Sequence, residues 1–433
     1  KAICDKSADF IYTDEATFEK SLDNIVTAHF KPDFAIDNLR ANNYICHFSA
    51  FKRSVLDKAG WFRKEYDGSQ DHDIILRLTS QAEKIVHIPK LLYFWRSHSN
   101  SVAADINSKT YAINAGKKAV LDHLKNAGLI ASIESSKAFP TIYRIKYKIS
   151  DHPLISIIIL NRDHIENLHK CLISIIESST YSNYEIIIVE NNSIKHETFE
   201  YYDYLKSKYE FVRIISWEGV FNYSAINNFG FQHSKGKYIL LLNNDMQVIT
   251  PNWIEEMLMF AQRKDVGAVG AKLYFKDNTI QHAGIILGLG ADRVAGHAFY
   301  KVGKDNLGYM GRLFYAQDVS AVTGACMLIP RHVYEEINGL DDSFAVAFND
   351  VDFCMRIRKA GYLIVFTPYA ELYHYESKSR GADDDPEKRK RFQSEVLRFQ
   401  KRWSKELTAG DPYYNPNFSL DSGDFSIKRE LLR

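Results

Sequence analysis

The chain repeats itself, and an internal repeat limits the folds open to it more than any other feature. Near the start it reads AFKRSVLDKAGWF, then QDHDIILRL and VHIPKLLYF; much later it reads LIPRHVYEEINGL, FNDVDFCMRI and VFTPYAELYH. Gly60 to Asp71 and Gly339 to Asp350 both span 11 positions. Asp71 to Arg77 and Asp350 to Arg356 span 6, and Asp71 to Pro89 and Asp350 to Pro368 span 18. Three shared spacings between different punctuation residues mark two copies of one structural unit.

The copies are unequal. Ahead of the second lie apolar runs at 154–160, 185–189, 211–215 and 238–242, with a helical pattern at 165–176. Such alternation indicates βαβ units and an α/β fold with a mainly parallel sheet. The first copy has nothing comparable before residue 10. Pro153 to Asp245 is 92 residues, about the length missing ahead of Asp14 if Asp14 matches Asp245. The expected organisation is a partial copy at 1–108, a helix-and-strand connector at 109–152, a complete domain at 153–410 and a tail at 411–433. Lys1 opens the chain in mid-pattern, which reads as a fragment of a longer protein.

Composition excludes several classes of function. Lys plus Arg (55) nearly cancels Asp plus Glu (54), and no basic stripe with interleaved aromatics suggests nucleic acid. Five cysteines form no C-x-x-C pair and are odd in number, which argues for reduced thiols in a cytoplasmic setting. No apolar run approaches the ~20 residues that span a bilayer, so any membrane association is expected to be peripheral, at the inner face.

Ligands of open α/β sheets bind beyond the carboxyl ends of the strands. Three polar clusters stand there: Asn161 to Asp163, Glu190 to Ser193 with Asn192, and Asn243 to Asp245 with Asn244. Asp245, closing an apolar strand, suits a Mg²⁺ or Mn²⁺ ion that takes its other oxygens from water and phosphate. Asp350 and Asp352 flank Val351 at a helix start, where either alone could be only an N-cap. His374 ends a strand-like stretch and could be a metal ligand, with Lys378 and Arg380 placed to hold a diphosphate. A solvated loop of mixed charge is the plainer account of those last three residues. At 386–403, Phe392, Val396, Phe399 and Trp403 recur at helical spacing behind Pro386, which predicts a helix packed on the second domain.

The segments ISIIILNRD, IIIVENNS, FNYSAINNFGFQHSKGKYILLLNNDMQVI, AVTGACMLIPRHVYEEINGLDD, FNDVDFCMRIRKAGY and PYAELYHYESKSRG together resemble family 2 glycosyltransferases. More narrowly, they resemble bacterial enzymes that build O-antigen, capsule and other surface polysaccharides. The opening segment resembles the preceding domain of tandem members.

The resemblance implies a GT-A fold, a nucleotide-diphosphate sugar donor (UDP- or dTDP-linked), Mn²⁺ or Mg²⁺, inversion at the anomeric carbon, and a glycan or lipid-linked glycan acceptor. It makes Asp245 the metal carboxylate of a D-x-D motif, His374 the late metal ligand and Asp350 the catalytic base. Asn161, Asp163, Glu190, Asn192, Asn227, Asn244, Lys378 and Arg380 become donor-binding candidates. Asn243 departs from the first acid of the motif, Asn349 from the usual Glu before the base, and Glu190 from the usual Asp.

In the first copy, Asp71 takes the base-like slot, Asp14 is a candidate metal carboxylate, and Phe94 falls near the slot of His374, with His98 as a substitute. A non-catalytic module that binds polysaccharide or a partner enzyme is the alternative, supported by the weakened D-x-D motif. Retention of Asp245, Asp350 and His374 together favours the enzyme.

Overall fold

The computed structural model describes residues 3, 6–97, 110–136, 138–375 and 386–432. Lys378, Arg380 and His98 lie outside the described residues. The first unit runs β1 (Phe10–Phe18), β2 (Ile25–His29), α1 (Ile36–Ala41), β3 (Ser49–Phe51), α2 (Arg53–Ala59), α3 (Gln70–Gln81) and β4 (Ile85–Arg96). Helix α4 (Thr110–Asn126) and the antiparallel hairpin of β5 (Ala131–Ser135) and β6 (Tyr143–Tyr147) connect it to the second.

The second unit opens with β7 (Ile155–Asn161), α5 (Ile165–Ser178), β8 (Tyr184–Glu190), α6 (His196–Lys208), β9 (Val212–Ser216), α7 (Tyr223–Gln232) and β10 (Tyr238–Leu242). It continues through β11 (Met246–Val248), α8 (Trp253–Ala261), β12 (Val266–Tyr274), β13 (Ile280–His282), β14 (Ile285–Leu287), β15 (Ala295–His297) and β16 (Gln317–Asp318). Then come β17 (Cys326–Pro330), α9 (Arg331–Glu336), α10 (Asn349–Lys359), β18 (Leu363–His374), α11 (Pro386–Arg402) and α12 (Ser404–Ala409).

The large sheet has the order β11-β18-β12-β17-β10-β7-β8-β9. Four of these seven neighbouring pairs are parallel: β18–β12, β10–β7, β7–β8 and β8–β9. Strands β7, β8 and β10 read as unbroken apolar runs because they are buried almost throughout. Their parallel direction brings the carboxyl ends of β7, β8 and β10 to one edge, which places the site.

The small sheet has the pairing of the large sheet's later half. Strand β1 pairs antiparallel with β2 and β3 and parallel with β4; β12 pairs antiparallel with β13 and β17 and parallel with β18. Two expectations for the first copy are corrected by this register. Asp14 lies within β1, the counterpart of β12, so it does not occupy the slot of Asp245. It is fully buried, accepting from the Lys31 backbone N–H at 3.0 Å and from Asn415 Nδ2 at 3.0 and 3.2 Å, with His87 Nε2 at 2.8 Å. A carboxylate so enclosed is a packing element. Tyr93 opposes Glu15 as Leu372 opposes Leu273, so the counterpart of His374 is Trp95 rather than Phe94.

The tail straps the two units together. Asp411 accepts from the Leu287 N–H at 2.7 Å, and the Pro412 carbonyl accepts from the Asp33 N–H at 2.7 Å. Phe418 sits against both Phe30 and Tyr309. Arg263 of the second unit is buried against Asp37 of the first at 2.5 Å. Among the described residues, no helix is long and apolar enough to cross a membrane.

Candidate active site

Asp245 closes the turn after β10, and His374 is the last residue of β18. The antiparallel register of β11 with β18 sets Met246 opposite His374, which brings the Asp245 Oδ1 to 3.1 Å from His374 Nε2. Both side chains are about nine-tenths buried. His374 Nδ1–H donates to Gln281 Oε1 at 2.6 Å, and Asn243 Nδ2 donates toward His374 Nε2 at 3.2 Å. Nε2 therefore faces the site with its lone pair, the form a metal ligand needs. A hard carboxylate oxygen beside an imidazole nitrogen fits a divalent cation that also binds phosphate.

The strand-end residues form one hydrogen-bonded row. Asn244 Nδ2 donates to Asn161 Oδ1 at 2.7 Å, and Asn161 Nδ2 donates to the Tyr202 hydroxyl at 2.8 Å. Tyr202 in turn donates to Glu190 Oε2 at 2.8 Å. Glu190 also accepts from the Ser193 backbone N–H at 2.5 Å and the Ser193 hydroxyl at 2.6 Å. Tyr202, from α6, was not anticipated, because a tyrosine in a helical pattern reads as core.

Three candidates bond to the backbone. Asp163, at φ 57°, accepts from the N–H groups of Ile194 and Lys195, just ahead of α6, and from Thr198 Oγ1. Burial opposes its ionisation, but the Lys195 and Ile194 N–H groups outweigh it and hold the carboxyl below its usual range. Asn227 is buried inside α7 and donates to the Tyr223 carbonyl four residues back at 2.8 Å. Asn192, at φ 57°, is exposed and donates to the Gly219 carbonyl at 2.9 Å.

Asp350 and Asp352 separate clearly. Asp352 is fully buried, bound to Arg356, Arg402 and the Trp403 indole N–H. Asp350 is partly exposed and, among the described residues, accepts only backbone N–H groups, from Gly324 at 2.9 Å and from its own neighbour Val351 at 2.8 Å. The loop 323–325 ties it to the rest of the site. Thr323 N–H points at His282 Nε2 at 3.4 Å, and the Ala325 carbonyl accepts from the Asn243 N–H at 3.0 Å. A Cβ on Gly324 would meet the Tyr223 hydroxyl at 2.6 Å, so only glycine fits this close approach.

Gln281, His282 and His297 were also missed by sequence reasoning. His282 is fully buried with its Nδ1 at 2.9 Å from His297 Nδ1. Burial, with His297 and His374 beside it, pushes it well below the ordinary histidine range, so it is neutral. The signal was the pair of His-Ala dipeptides in QHAG and GHAF.

Residues 155–337 match the family model described as glycosyl transferase family 2. The chain is 41% identical over 436 residues to the uncharacterized protein y4gI of Sinorhizobium fredii, covering 97% of this chain and 46% of that one. It is 34% identical over 422 residues to the O-antigen biosynthesis protein RfbC of Myxococcus xanthus, covering 97% and 32%. Among solved structures, GalNAc-T7 with UDP, GalNAc and Mn²⁺ aligns with a TM-score of 0.46 at 16% identity, covering 59% of this chain and 50% of that one. The chain spans less than half the length of either curated relative.

Proposed function

We propose that the second unit, whose residues 155–337 carry the family 2 glycosyltransferase match, transfers a sugar from a nucleotide-diphosphate donor to a hydroxyl of a growing bacterial surface glycan, with inversion. The observation that carries this reading is the approach of Asp245 to His374 at the strand-end edge, with the loop 323–325 linking Asn243 on that edge to Asp350; His374 and Asp350 lie beyond the matched segment. The row Asn244–Asn161–Tyr202–Glu190 offers the polar edge for the nucleoside. Asp245 and His374 would hold Mn²⁺ or Mg²⁺, which supplies positive charge where the leaving diphosphate gains negative charge.

Asp350 accepts the proton of the acceptor hydroxyl as that oxygen attacks the anomeric carbon from the face opposite the departing diphosphate. Base catalysis of this kind contributes about 10²–10⁴-fold. The Gly324 N–H holds the carboxylate in place without neutralising it. The acceptor fits a glycan or lipid-linked glycan presented at the inner face of the membrane. The shared pairing of the two sheets supports reading the first unit as the back half of a preceding domain of the same kind, without a donor half in this chain.

Asp350→Asn keeps an oxygen for the Gly324 N–H but removes the proton acceptor. Transfer from a panel of UDP-, dTDP- and GDP-sugars is expected to fall about 10²-fold or more, with donor affinity intact. Asp71→Asn should leave transfer unchanged. Wild-type turnover by Asp350→Asn would remove Asp350 as the base, and no transfer by the wild type from any donor of the panel would favour the module that binds polysaccharide or a partner enzyme.

A further inference from the structure

Glu15 on β1 faces a loop ahead of β3 that carries Cys46 and His47. The Cys46 sulfur lies 3.1 Å from His47 Nδ1, and His47 Nδ1 lies 3.9 Å from Glu15 Oε2. All three donor atoms lie within 4.8 Å of one another. A tetrahedral Zn²⁺ with bonds of about 2.0–2.3 Å sets its ligands about 3.3–3.8 Å apart, so small side-chain rotations close these donors on one ion. We propose that Glu15, Cys46 and His47 form a binding site for a thiophilic divalent cation of the Zn²⁺ class in the first unit.

The two oxygens of Glu15 are treated differently by their surroundings. Oε1 faces His29 Nδ1 at 3.3 Å and Lys31 Nζ at 3.6 Å. Oε2 is buried with no hydrogen-bond partner among the described residues, a state that costs free energy unless something cationic fills it. Lys31 donates to the carbonyls of Ile45 and His47 and so braces the loop that carries two of the ligands. The His47 ring stacks on Tyr93 at 4.9 Å and meets Trp95 edge-on at 4.7 Å, which fixes its direction.

Outer contacts of this kind orient the ligands of a metal site. Three protein donors leave a fourth position for water or an added ligand. A set of sulfur, nitrogen and oxygen suits Zn²⁺ and disfavours Mg²⁺ and Mn²⁺, which prefer oxygen. The site therefore differs in kind from the Asp245–His374 pair. Glu15 with a Cys46 thiolate carries two negative charges, which offset the ion and leave the Lys31 ammonium as the excess charge.

Co²⁺ added to the full chain, stripped with EDTA and dialysed, tests the site without any variant. The expected result is a thiolate-to-cobalt charge-transfer band that saturates at one ion per chain, is displaced by Zn²⁺ and resists excess Mg²⁺. Cys46→Ser should abolish the band, and Asp245→Asn should keep it. Glu15→Gln preserves shape and provides a second arm should Cys46→Ser not fold. Its Co²⁺ affinity should fall by more than the ~10–100-fold that loss of an outer-shell partner costs. A folded wild-type chain with no thiolate band, a band that survives Cys46→Ser, or unchanged affinity in Glu15→Gln overturns the proposal.

Discussion

His374 presents Nε2 toward Asp245 because Gln281 holds its other nitrogen at 2.6 Å. Removing that acceptor frees the ring to rotate and the proton to move between nitrogens. Gln281→Leu should weaken Mn²⁺ binding about 10–100-fold, while Gln281→Glu, which keeps an acceptor, should bind nearly as wild type; calorimetric titration distinguishes them. Asp245→Asn should abolish most Mn²⁺-dependent nucleotide binding, with circular dichroism unchanged. Equal donor affinity in that variant with and without EDTA would remove Asp245 from the metal site. The sequence singled out Asp245, His374 and Asp350 as candidates because each stands at the end of an apolar strand or the start of a helix. It misled at Asp163, where a polar side chain after a strand end turned to the backbone instead of the cleft, and at Asn227, which lies inside a helix and bonds back to its own preceding turn. Gln281 and His282 were hidden, since their importance comes from β12 pairing with both β13 and β18, a relation between elements far apart in the chain.

Helix α11 shows how an element far from the chemistry shapes it. Val396 and Phe399 are buried, as the helical spacing predicts, but the spacing did not show the role of Glu395. Its carboxylate accepts from the N–H groups of Val346 and Ala347 at 3.0 and 3.1 Å, in the loop that enters α10 ahead of Asp350. Glu395→Ala should leave both part-buried N–H groups without that acceptor, at no more than about 1–3 kcal/mol each. A lower melting temperature together with a lower kcat is expected; a variant with only reduced stability would show that the loop does not position Asp350. Truncation before Pro386 should destabilise the second unit further, because Arg402 and Trp403 then leave Asp352 buried without two of its partners. Strand β12, by contrast, was not legible at all. It reads VGAVGAKLY, and Gly and Ala give a weak strand signal, yet it is buried along its whole length. A Cβ on Gly270 would meet Val322 at 2.5 Å, so the sheet's centre needs the residues that disguise it.

Across the whole molecule, the repeat was legible from spacing alone, whereas the contact between its copies was not, because it depends on carboxyls meeting from opposite units. Asp318 Oδ2 accepts from the Asp37 N–H at 3.1 Å. Asp37 Oδ2 and Asp318 Oδ1 are both buried without a hydrogen-bond partner among the described residues, and one proton held between the two carboxyls would satisfy both. Burial opposes ionisation of Asp37, but Arg263 and Arg40 outweigh it and hold the carboxyl below its usual range. Burial and the Asp37 charge push Asp318 well above the ordinary value of 3.8, so Asp318 keeps the proton. The folded chain then binds a proton that the unfolded chain releases above 3.8, and this contribution to stability, complete below that pH, is lost as pH rises. Asp37 acts oppositely, its contribution being present at neutral pH and lost on acidification. Asp318→Asn cannot ionise, retains an oxygen for the Asp37 N–H, and offers an N–H to Asp37 Oδ2 where the shared proton lay. Near pH 4 the variant and the wild type should melt at similar temperatures. Toward about pH 8 the variant should become progressively the more stable, since only the wild type must hold a proton against rising pH. A melting-temperature difference that stays flat across that range would show that the two carboxyls do not share a proton.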